Sequence, residues 1–346
     1  MLILVTLLVL PGHALALDTV DLQLRWHHQF QFAGYYAALE KGFYRDEGLQ
    51  VHLHAGDPEH QPVPEVLAGR AQYAEGNSEV LYQKLRGQPL VALAAIFQHS
   101  PSVLLARKGS GINSVHDLLG KKVMLLNMTE DADFLSMFKN EGVDVSKVKI
   151  LPSSFQLDDL ISGKVDAVSA YSTDEPFLLD KLAFKHAIFT PRSSGIDFYG
   201  DTLFTTEKTI RANPKGVRAF RNAAIKGWEY AMQHPEEVAD LILARYSKRH
   251  QKDHLLFEAI EMQRLMQPEL VEIGHMTEGR WQQIAANYVE LGMLPAETKV
   301  SGLIYEDKPP KLPVWVLPLM VVGVLLILVA GLIAIYFGRL NRRLAS

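Results

Sequence analysis

The sequence predicts an α/β protein of two lobes, followed by a single membrane-spanning helix. Residues 24–51 place a strand, an aromatic loop, a helix and a second strand in unbroken succession. A helix, a glycine and an apolar strand recur at matched places further along, which indicates two βαβ-rich halves. Residues 312–337 form an uncharged apolar run of about 25 residues, enough for a helix to cross a hydrocarbon core roughly 30 Å thick.

The repeated unit is a helix that ends before a glycine and leads into a strand. Residues 64–74 show this pattern around Gly69, and residues 157–168 show it around Gly163. Glycine is favoured directly after a helix because it adopts the left-handed conformation without strain. Gly-capped helices are common in α/β proteins, but two matched pairs in the same order favour two related halves. The upstream pair has its glycines at Gly48 and Gly142.

Capping residues mark the start of further helices. Ser114 begins a capping box before a short helix. Asn213, followed by Pro214, begins a long helix that runs to about residue 232. Pro235 begins another that runs to about residue 246, and residues 277–291 predict an amphipathic helix.

The composition of the chain excludes several classes of function. The chain is 21% charged and 48% hydrophobic, and its formal net charge of -4 argues against nucleic acid as a partner. The absence of cysteine excludes disulfides, thiolate metal ligands and cysteine nucleophiles. His52 and His54 share one face of a strand, with Asp57 and His60 nearby, so a zinc or nickel site is conceivable there. Polar positions that face water explain the same spacing, and no metal site is predicted.

The first residues are typical of an export signal. Residues 1–10 are almost wholly apolar, and residues 14–16 supply the small-x-small pattern that a signal peptidase accepts. No lysine or arginine precedes Arg25, so the alternatives are a misplaced start codon and retention of the segment as an anchor. We predict a signal peptide over residues 1–16, which places the following domain in the periplasm.

The apolar run near the other end predicts a transmembrane helix over residues 314–337. Trp315 and Tyr336 lie near its rims, where amphipathic rings are favoured, and three arginines follow before residue 344. The positive-inside bias places residues 338–346 in the cytoplasm as a short tail. The lipid bilayer of the inner membrane is therefore an expected partner.

Short motifs in the first third of the chain resemble those of a known family, and they are Trp26, Gly34-Tyr35-Tyr36-Ala37-Ala38, Lys41-Gly42-Phe43-Tyr44, Gly48-Leu49, Gly69-Arg70-Ala71 and Gly87-Gln88-Pro89-Leu90. These motifs are similar to the thiamine-pyrimidine family, which joins periplasmic pyrimidine-precursor binding proteins with the eukaryotic thiamine pyrimidine synthases. Some of these elements also occur in sulfonate- and nitrate-type binding proteins. Residues 26–36 and 96–101 look most like extracytoplasmic sensor modules attached to diguanylate cyclases and histidine kinases.

The resemblance runs from about residue 20 to about residue 306. It implies the type II periplasmic binding protein fold, in which two α/β lobes clamp a ligand. The expected domains are 17–104 with 197–307 for lobe 1, 105–196 for lobe 2, and 308–313 for a linker to the membrane.

The loops that follow the strands supply the candidate ligand contacts, because ligands of open α/β sheets lie beyond the carboxyl ends of the strands. Trp26 can stack on a flat heterocycle, and the alternative is a core residue beside the hinge. Asn77 and Ser78 can contact a ligand, and the alternative is that they only cap the following helix. A carboxylate of Asp174 or Glu175 can also contact a ligand, and the alternative for Asp174 is again a helix cap. The predicted ligand-binding residues are Trp26, Gln29, Tyr36, Asn77, Ser78, Gln98, Ser100, Asn127, Tyr171, Glu175, Asp197 and Tyr199.

The resemblance implies a small, flat, polar ligand such as a hydroxymethylpyrimidine-type thiamine precursor, bound without a cofactor. A signalling module or an ABC permease is the implied protein partner. Pyrimidine-binding members carry Asn and His where this chain has Gln29 and Phe32, so the resemblance does not fix the ligand.

The alternative function is that of a thiamine pyrimidine synthase, which consumes a histidine and pyridoxal phosphate in an iron-dependent reaction. Alignment with these relatives places Glu79 or its neighbour where they have the donor histidine. The cysteine-rich iron segment has no counterpart, since the chain contains no cysteine. The binding interpretation is therefore preferred.

Overall fold

The computed structural model describes residues 17–307 and 316–344 of the chain. The chain divides into two compact units, residues 1–305 and residues 306–346. The predicted signal peptide, 1–16, and the predicted linker, 308–313, lie outside the described residues.

Lobe 1 is built on a five-stranded sheet. Its strands are β1 (Asp18–Gln23), β2 (Leu49–His54), β3 (Tyr73–Gly76), β4 (Leu90–Phe97) and β10 (Gly200–Thr206). Their order across the sheet is β2-β1-β3-β10-β4. β1 pairs in parallel with β2 and β3, whereas β10 runs antiparallel between β3 and β4.

Lobe 2 is built on a second five-stranded sheet, formed by the intervening part of the chain. Its strands are β5 (Ser102–Arg107), β6 (Lys122–Leu125), β7 (Lys149–Pro152), β8 (Ala167–Tyr171) and β9 (His186–Phe189), in the order β7-β6-β8-β5-β9. The chain passes between the two sheets at residues 98–101 and 190–199. The predicted boundary between residues 104 and 105 falls inside β5, which pairs wholly within the second sheet.

Helices accompany both sheets. Lobe 1 contains α1 (Ala33–Glu40), α2 (Phe43–Asp46), α3 (Pro62–Leu67), α4 (Glu79–Leu85), α8 (Glu207–Ala212), α9 (Pro214–Gln233), α10 (Pro235–Arg245), α11 (Lys252–Met266) and α12 (Glu278–Glu290). Lobe 2 contains α5 (Ala132–Asn140), α6 (Asp158–Ile161) and α7 (Glu175–Lys181). The second unit contains α13 (Val316–Leu344).

The predicted turn glycines stand where the repeat requires them. Gly48, Gly69, Gly142 and Gly163 have φ values of 78°, 75°, 69° and 77°, in the left-handed region that follows a helix end. Each precedes a strand of the predicted pair, so the repeated helix-glycine-strand pattern is confirmed.

The capping predictions at the long helices also agree with the structure. The side chain of Asn213 accepts a hydrogen bond from the Gly216 amide at the start of α9. Ser114 and Asp117 form the predicted capping box. Thr277, the first residue of the predicted helix 277–291, also caps α12 through the amide of Arg280, a bond that was not predicted.

Two helices of lobe 1 pack unusually closely, because glycines stand at their contact. A Cβ on Gly34 in α1 would lie 2.2 Å from the ring of Trp228 in α9. A Cβ on Gly227 in α9 would lie 2.1 Å from the carbonyl oxygen of Gly34. Trp228 itself is fully buried, so this contact anchors the core of lobe 1.

The predicted transmembrane helix is not confirmed. Within residues 17–307 and 316–344, no helix combines the length and the hydropathy that crossing a membrane requires.

Candidate functional site

A cavity of about 180 Å³ lies between the two lobes. Its walls come from the loops that follow β1 and β3 in lobe 1 and β6, β7 and β8 in lobe 2. The carboxyl ends of parallel strands meet at one edge of each sheet, so loops that are distant in sequence converge there.

Five of the twelve predicted binding residues line this cavity: Trp26, Gln29, Asn77, Tyr171 and Glu175. The other seven do not line it, and each is held by a protein partner. Those partners are His28 for Tyr36, Tyr288 for Ser78, the His275 carbonyl for Gln98, Asp133 for Ser100, Glu130 for Asn127, His99 for Asp197 and the Thr277 amide for Tyr199.

Two aromatic rings from opposite lobes meet at the cavity. The ring of Trp26 in lobe 1 stacks on that of Phe155 in lobe 2, with centroids 5.1 Å apart and planes inclined by 30°. The φ of Phe155 is 58°, a strained value for a residue with a side chain, and such strain is most often found at functional sites. The residue therefore belongs with the candidate site, although the sequence prediction did not include it.

A chain of hydrogen bonds runs along the lobe 1 wall. Arg249 donates to Gln29 at 2.8 Å, Gln29 donates to Gln31 at 3.0 Å, and Gln31 donates to Asp201 at 2.7 Å. Both glutamines are buried, so these bonds fix the orientation of their amide groups. The lobe 1 wall of the cavity is therefore rigid at these two side chains.

Contacts across the cavity hold the two lobes together. Asn77 of lobe 1 donates to the Tyr171 hydroxyl of lobe 2 at 2.8 Å, while its own Oδ1 is buried without a partner. The guanidinium of Arg25 lies 3.4 Å from the Glu130 carboxylate and 5.2 Å from the centre of the Tyr171 ring. The described arrangement is therefore closed.

Several carboxyl groups surround Arg25 at the lobe 1 wall of the cavity. Burial raises the pKa of Glu75 well above its usual range, and nearby Asp201 adds to the rise. Burial also raises the pKa of Asp201, although Arg25 opposes that rise from 3.7 Å. The pKa of Glu79 is raised to about 7, first by burial and then by Glu130. The positive charge of Arg25 thus stabilises the ionised forms of these buried carboxyl groups.

The raised pKa of Glu79 predicts a pH-dependent stability. Its pKa rises from 4.5 to about 7 on folding, so between those values the folded protein holds more protons than the unfolded chain. The free energy of unfolding therefore falls as the pH rises through this window. Glu79→Gln keeps an acceptor for the Asn77 amide but cannot ionise. Between pH 5 and pH 8 the free energy of unfolding of this variant should therefore decrease by roughly 1–2 kcal/mol less than that of the wild type.

Thermal unfolding of both proteins near pH 5 and pH 8 measures this difference. The variant should gain stability over the wild type only at the higher pH. An identical pH dependence in the two proteins would show that Glu79 does not titrate in this window.

Two capping explanations offered by the sequence are not supported. The side chain of Ser78 makes no capping bond, and Glu79 instead accepts from the Asn77 amide at 2.8 Å. Asp174 does not cap α7, and its Oδ1 lies 2.9 Å from Nε2 of His254. Glu175 accepts from the Tyr171 amide, and burial raises its pKa to about 8.

The cavity also contains polar residues that the sequence prediction missed. Arg25, Gln31 and Glu130 belong to the same post-strand loops as predicted residues, so inspection of whole loops would have found them. Arg249 comes from the segment before α11, and no local signal in the sequence places it at the cavity. Among the residues that line the described cavity there is neither a lysine nor a histidine.

The two sheets, the two crossings and the cavity between lobes define a periplasmic binding protein fold. The alkanesulfonate-binding protein SsuA from Xanthomonas axonopodis pv. citri, solved with MOPS bound, superposes with a TM-score of 0.66 at 11% identity, covering 83% of this chain and 98% of that one. At this identity the similarity shows the fold alone.

The chain belongs to the family described as NMT1/THI5 like, whose model matches residues 29–238. It is 24% identical over 233 residues to the formylaminopyrimidine-binding protein of Halalkalibacterium halodurans, covering 66% of this chain and 71% of that protein. It is 22% identical over 231 residues to the 4-amino-5-hydroxymethyl-2-methylpyrimidine phosphate synthase of Legionella pneumophila, covering 64% and 72%. The predicted resemblance is confirmed at the level of the family.

Proposed function

We propose that this chain is an extracytoplasmic receptor that closes its two lobes over a small, flat, polar heterocycle of the hydroxymethylpyrimidine type. The observation that carries the proposal is the cavity between the lobes, whose wall combines aromatic rings with oriented amide and carboxyl groups. Sites of this composition are typical of small-molecule binding.

The chemistry of the wall suits a ring that carries both hydrogen-bond donors and acceptors. The free Oδ1 of Asn77 offers an acceptor for an amino group. Glu175 adds a carboxyl group, and Tyr171 and Trp26 add apolar faces. A volume of about 180 Å³ is below the roughly 300–1,000 Å³ of sites for drug-sized ligands, which favours one small ring.

The binding of a formylaminopyrimidine by the Halalkalibacterium relative supports a pyrimidine as the first ligand to test. In the proposed mechanism the ligand touches both lobes only when they are closed, and this differential affinity drives closure. The contact between Asn77 and Tyr171 and that between Arg25 and Glu130 then stabilise the closed form.

No observation at this cavity supports the alternative function, that of a thiamine pyrimidine synthase. Its chemistry needs a lysine to hold the aldehyde and a histidine as donor. Neither residue type lines the described cavity. We therefore propose no enzymatic reaction.

A ligand screen tests the proposal directly. Thermal unfolding of the full chain with pyrimidines, polyamines, sulfonates and amino acids should give a raised midpoint with a hydroxymethylpyrimidine or a formylaminopyrimidine. A shift produced by another class alone would reassign the ligand, and the absence of any shift across the panel would reject the receptor function.

Paired variants locate the binding site. Asn77→Ala removes a cavity amide and a contact between the lobes, so the dissociation constant should rise at least about tenfold, equivalent to roughly 1.4 kcal/mol. Asn287→Ala removes an exposed amide that bonds only within α12 and serves as the matched control. Calorimetric titration of both should show the loss in Asn77→Ala alone, and equal affinities would place binding elsewhere.

Membrane anchoring and signalling are further parts of the proposal. They are supported by the uncharged run of residues 312–337 and by the resemblance to sensor modules. In this scheme lobe closure acts on a membrane-bound partner, either a signalling module or an ABC permease. Resistance of the expressed chain to carbonate extraction from inner membranes tests the anchor, and release into the supernatant would contradict it.

A further inference from the structure

Four side chains meet in a buried cluster beside the cavity. Asp174 comes from lobe 2, at the start of α7. The other three residues come from lobe 1: His254 and Glu258 lie in the first half of α11, and His250 lies two residues before that helix. Their exposed fractions are 4%, 8%, 2% and 0%. One nitrogen or oxygen from each lies within 4.8 Å of the other three.

The facing atoms of this cluster have no hydrogen-bond partner. They are Asp174 Oδ1, His250 Nε2, His254 Nε2 and Glu258 Oε1. His254 Nε2 lies 2.9 Å from Asp174 Oδ1, within ion-pair distance but without the geometry of a hydrogen bond. Four buried polar atoms that converge at one point without hydrogen bonds indicate a missing common partner.

Neighbouring groups hold these side chains in place. Glu258 Oε2 accepts from the Phe30 amide at 2.6 Å, which leaves Oε1 directed at the cluster. The ring of Phe177 packs on that of His254, with centroids 4.7 Å apart. His254 and Glu258 are one helical turn apart on α11, so both project from the same face.

The geometry points to a bound Zn²⁺ ion coordinated by Asp174, His250, His254 and Glu258. Zinc prefers four ligands in a tetrahedron, and bonds of about 2.0–2.1 Å separate neighbouring donor atoms by roughly 3.3 Å. The corresponding separations are 2.9 Å for His254 to Asp174, 3.7 Å for His254 to Glu258 and 3.8 Å for His250 to Asp174. Two carboxylates would balance the charge of the ion.

Such an ion would act as a clamp between the lobes. Asp174 belongs to lobe 2 and also lines the cavity, whereas the other three ligands belong to lobe 1. Coordination therefore exists only when the lobes are closed, and the metal stabilises the closed form independently of any ligand in the cavity. A metal-free ion pair of His254 with the two carboxylates is the competing explanation of the same cluster.

Metal titration of the full chain distinguishes the two explanations. After treatment with a chelator, the wild type should bind one equivalent of Zn²⁺, unfold at a higher temperature with it, and give the visible spectrum of tetrahedral Co²⁺ when Co²⁺ replaces it. His254→Ala and Glu258→Gln should each weaken binding by more than about 100-fold. Glu258→Gln retains an acceptor for the Phe30 amide, so it remains informative if His254→Ala does not fold.

The control is a double variant of the exposed pair on β2, His52→Ala with His54→Ala. These two histidines share Asp21, and they are the pair for which the sequence suggested a metal site. The control should keep the single tight site. Failure of the wild type to bind Zn²⁺, or loss of binding in the control with retention in His254→Ala, would overturn the inference.

Discussion

Replacing Arg25 by methionine is expected to destabilise the protein by about 3 kcal/mol at neutral pH. The side chain of Arg25 is 10% exposed and that of Asp201 is fully buried, with 3.7 Å between their charged atoms. Methionine keeps most of the apolar stem but removes the cation, so the acidic cluster around it loses its compensation. Breaking a buried ion pair on one side leaves an uncompensated charge, which costs far more than loss of an exposed pair.

The sign of the pH dependence follows from the same cluster. In the variant, Asp201 and Glu75 relieve the loss by taking up protons, so the destabilisation should be smaller near pH 5 than near pH 8. Arg70→Met is the matched control, because Arg70 is 60% exposed in its ion pair with Glu65 and should cost less than about 1 kcal/mol. Urea unfolding of the three proteins measures both effects, and similar losses in the two variants would contradict the assignment.

Replacing Gly227 by alanine should also destabilise the protein, by about 3 kcal/mol. The added methyl group would lie 2.1 Å from the Gly34 carbonyl oxygen and 2.6 Å from the Cβ of Ala38. Neither contact can be relieved by rotation of a side chain, because the first is with a backbone oxygen and the second is with a Cβ, which is fixed to the backbone. Helices α1 and α9 must therefore move apart, which opens the packing around Trp228.

Gly279→Ala provides the control for this prediction. Gly279 lies in α12, where an added Cβ would meet no atom within 4 Å. Alanine is a better helix former than glycine by about 1 kcal/mol, so this variant should be neutral or slightly more stable. Denaturation midpoints that move together in the two variants would indicate that propensity, rather than packing, determines the effect.

The sequence predicted the repeated units because their signals are local. Gly48, Gly69, Gly142 and Gly163 mark helix ends through a backbone conformation that few other residues adopt. The antiparallel insertion of β10 between β3 and β4 could not be predicted in this way, since it depends on pairing between distant segments.

The sequence predicted cavity residues only in loops that directly follow a strand. Trp26 and Tyr171 were found by that rule, and both line the cavity. α11 was missed because His254 and Glu258 are buried on its inner face, which breaks the apolar periodicity that indicates an amphipathic helix. The same buried polar residues form the proposed metal site, so the local pattern failed where the tertiary structure has a specific use for those side chains.

The place of β10 in the first sheet has a consequence for synthesis of the chain. β10 is the only strand of that sheet beside β4, which otherwise makes single bridges to Ile304 and Gly274, and all eight residues of β4 are buried in the finished fold. β10 is synthesised about a hundred residues later, after the whole of lobe 2. Until then β4 is an apolar strand without a neighbour, a typical seed for aggregation. We expect the nascent chain to depend on chaperones during this interval.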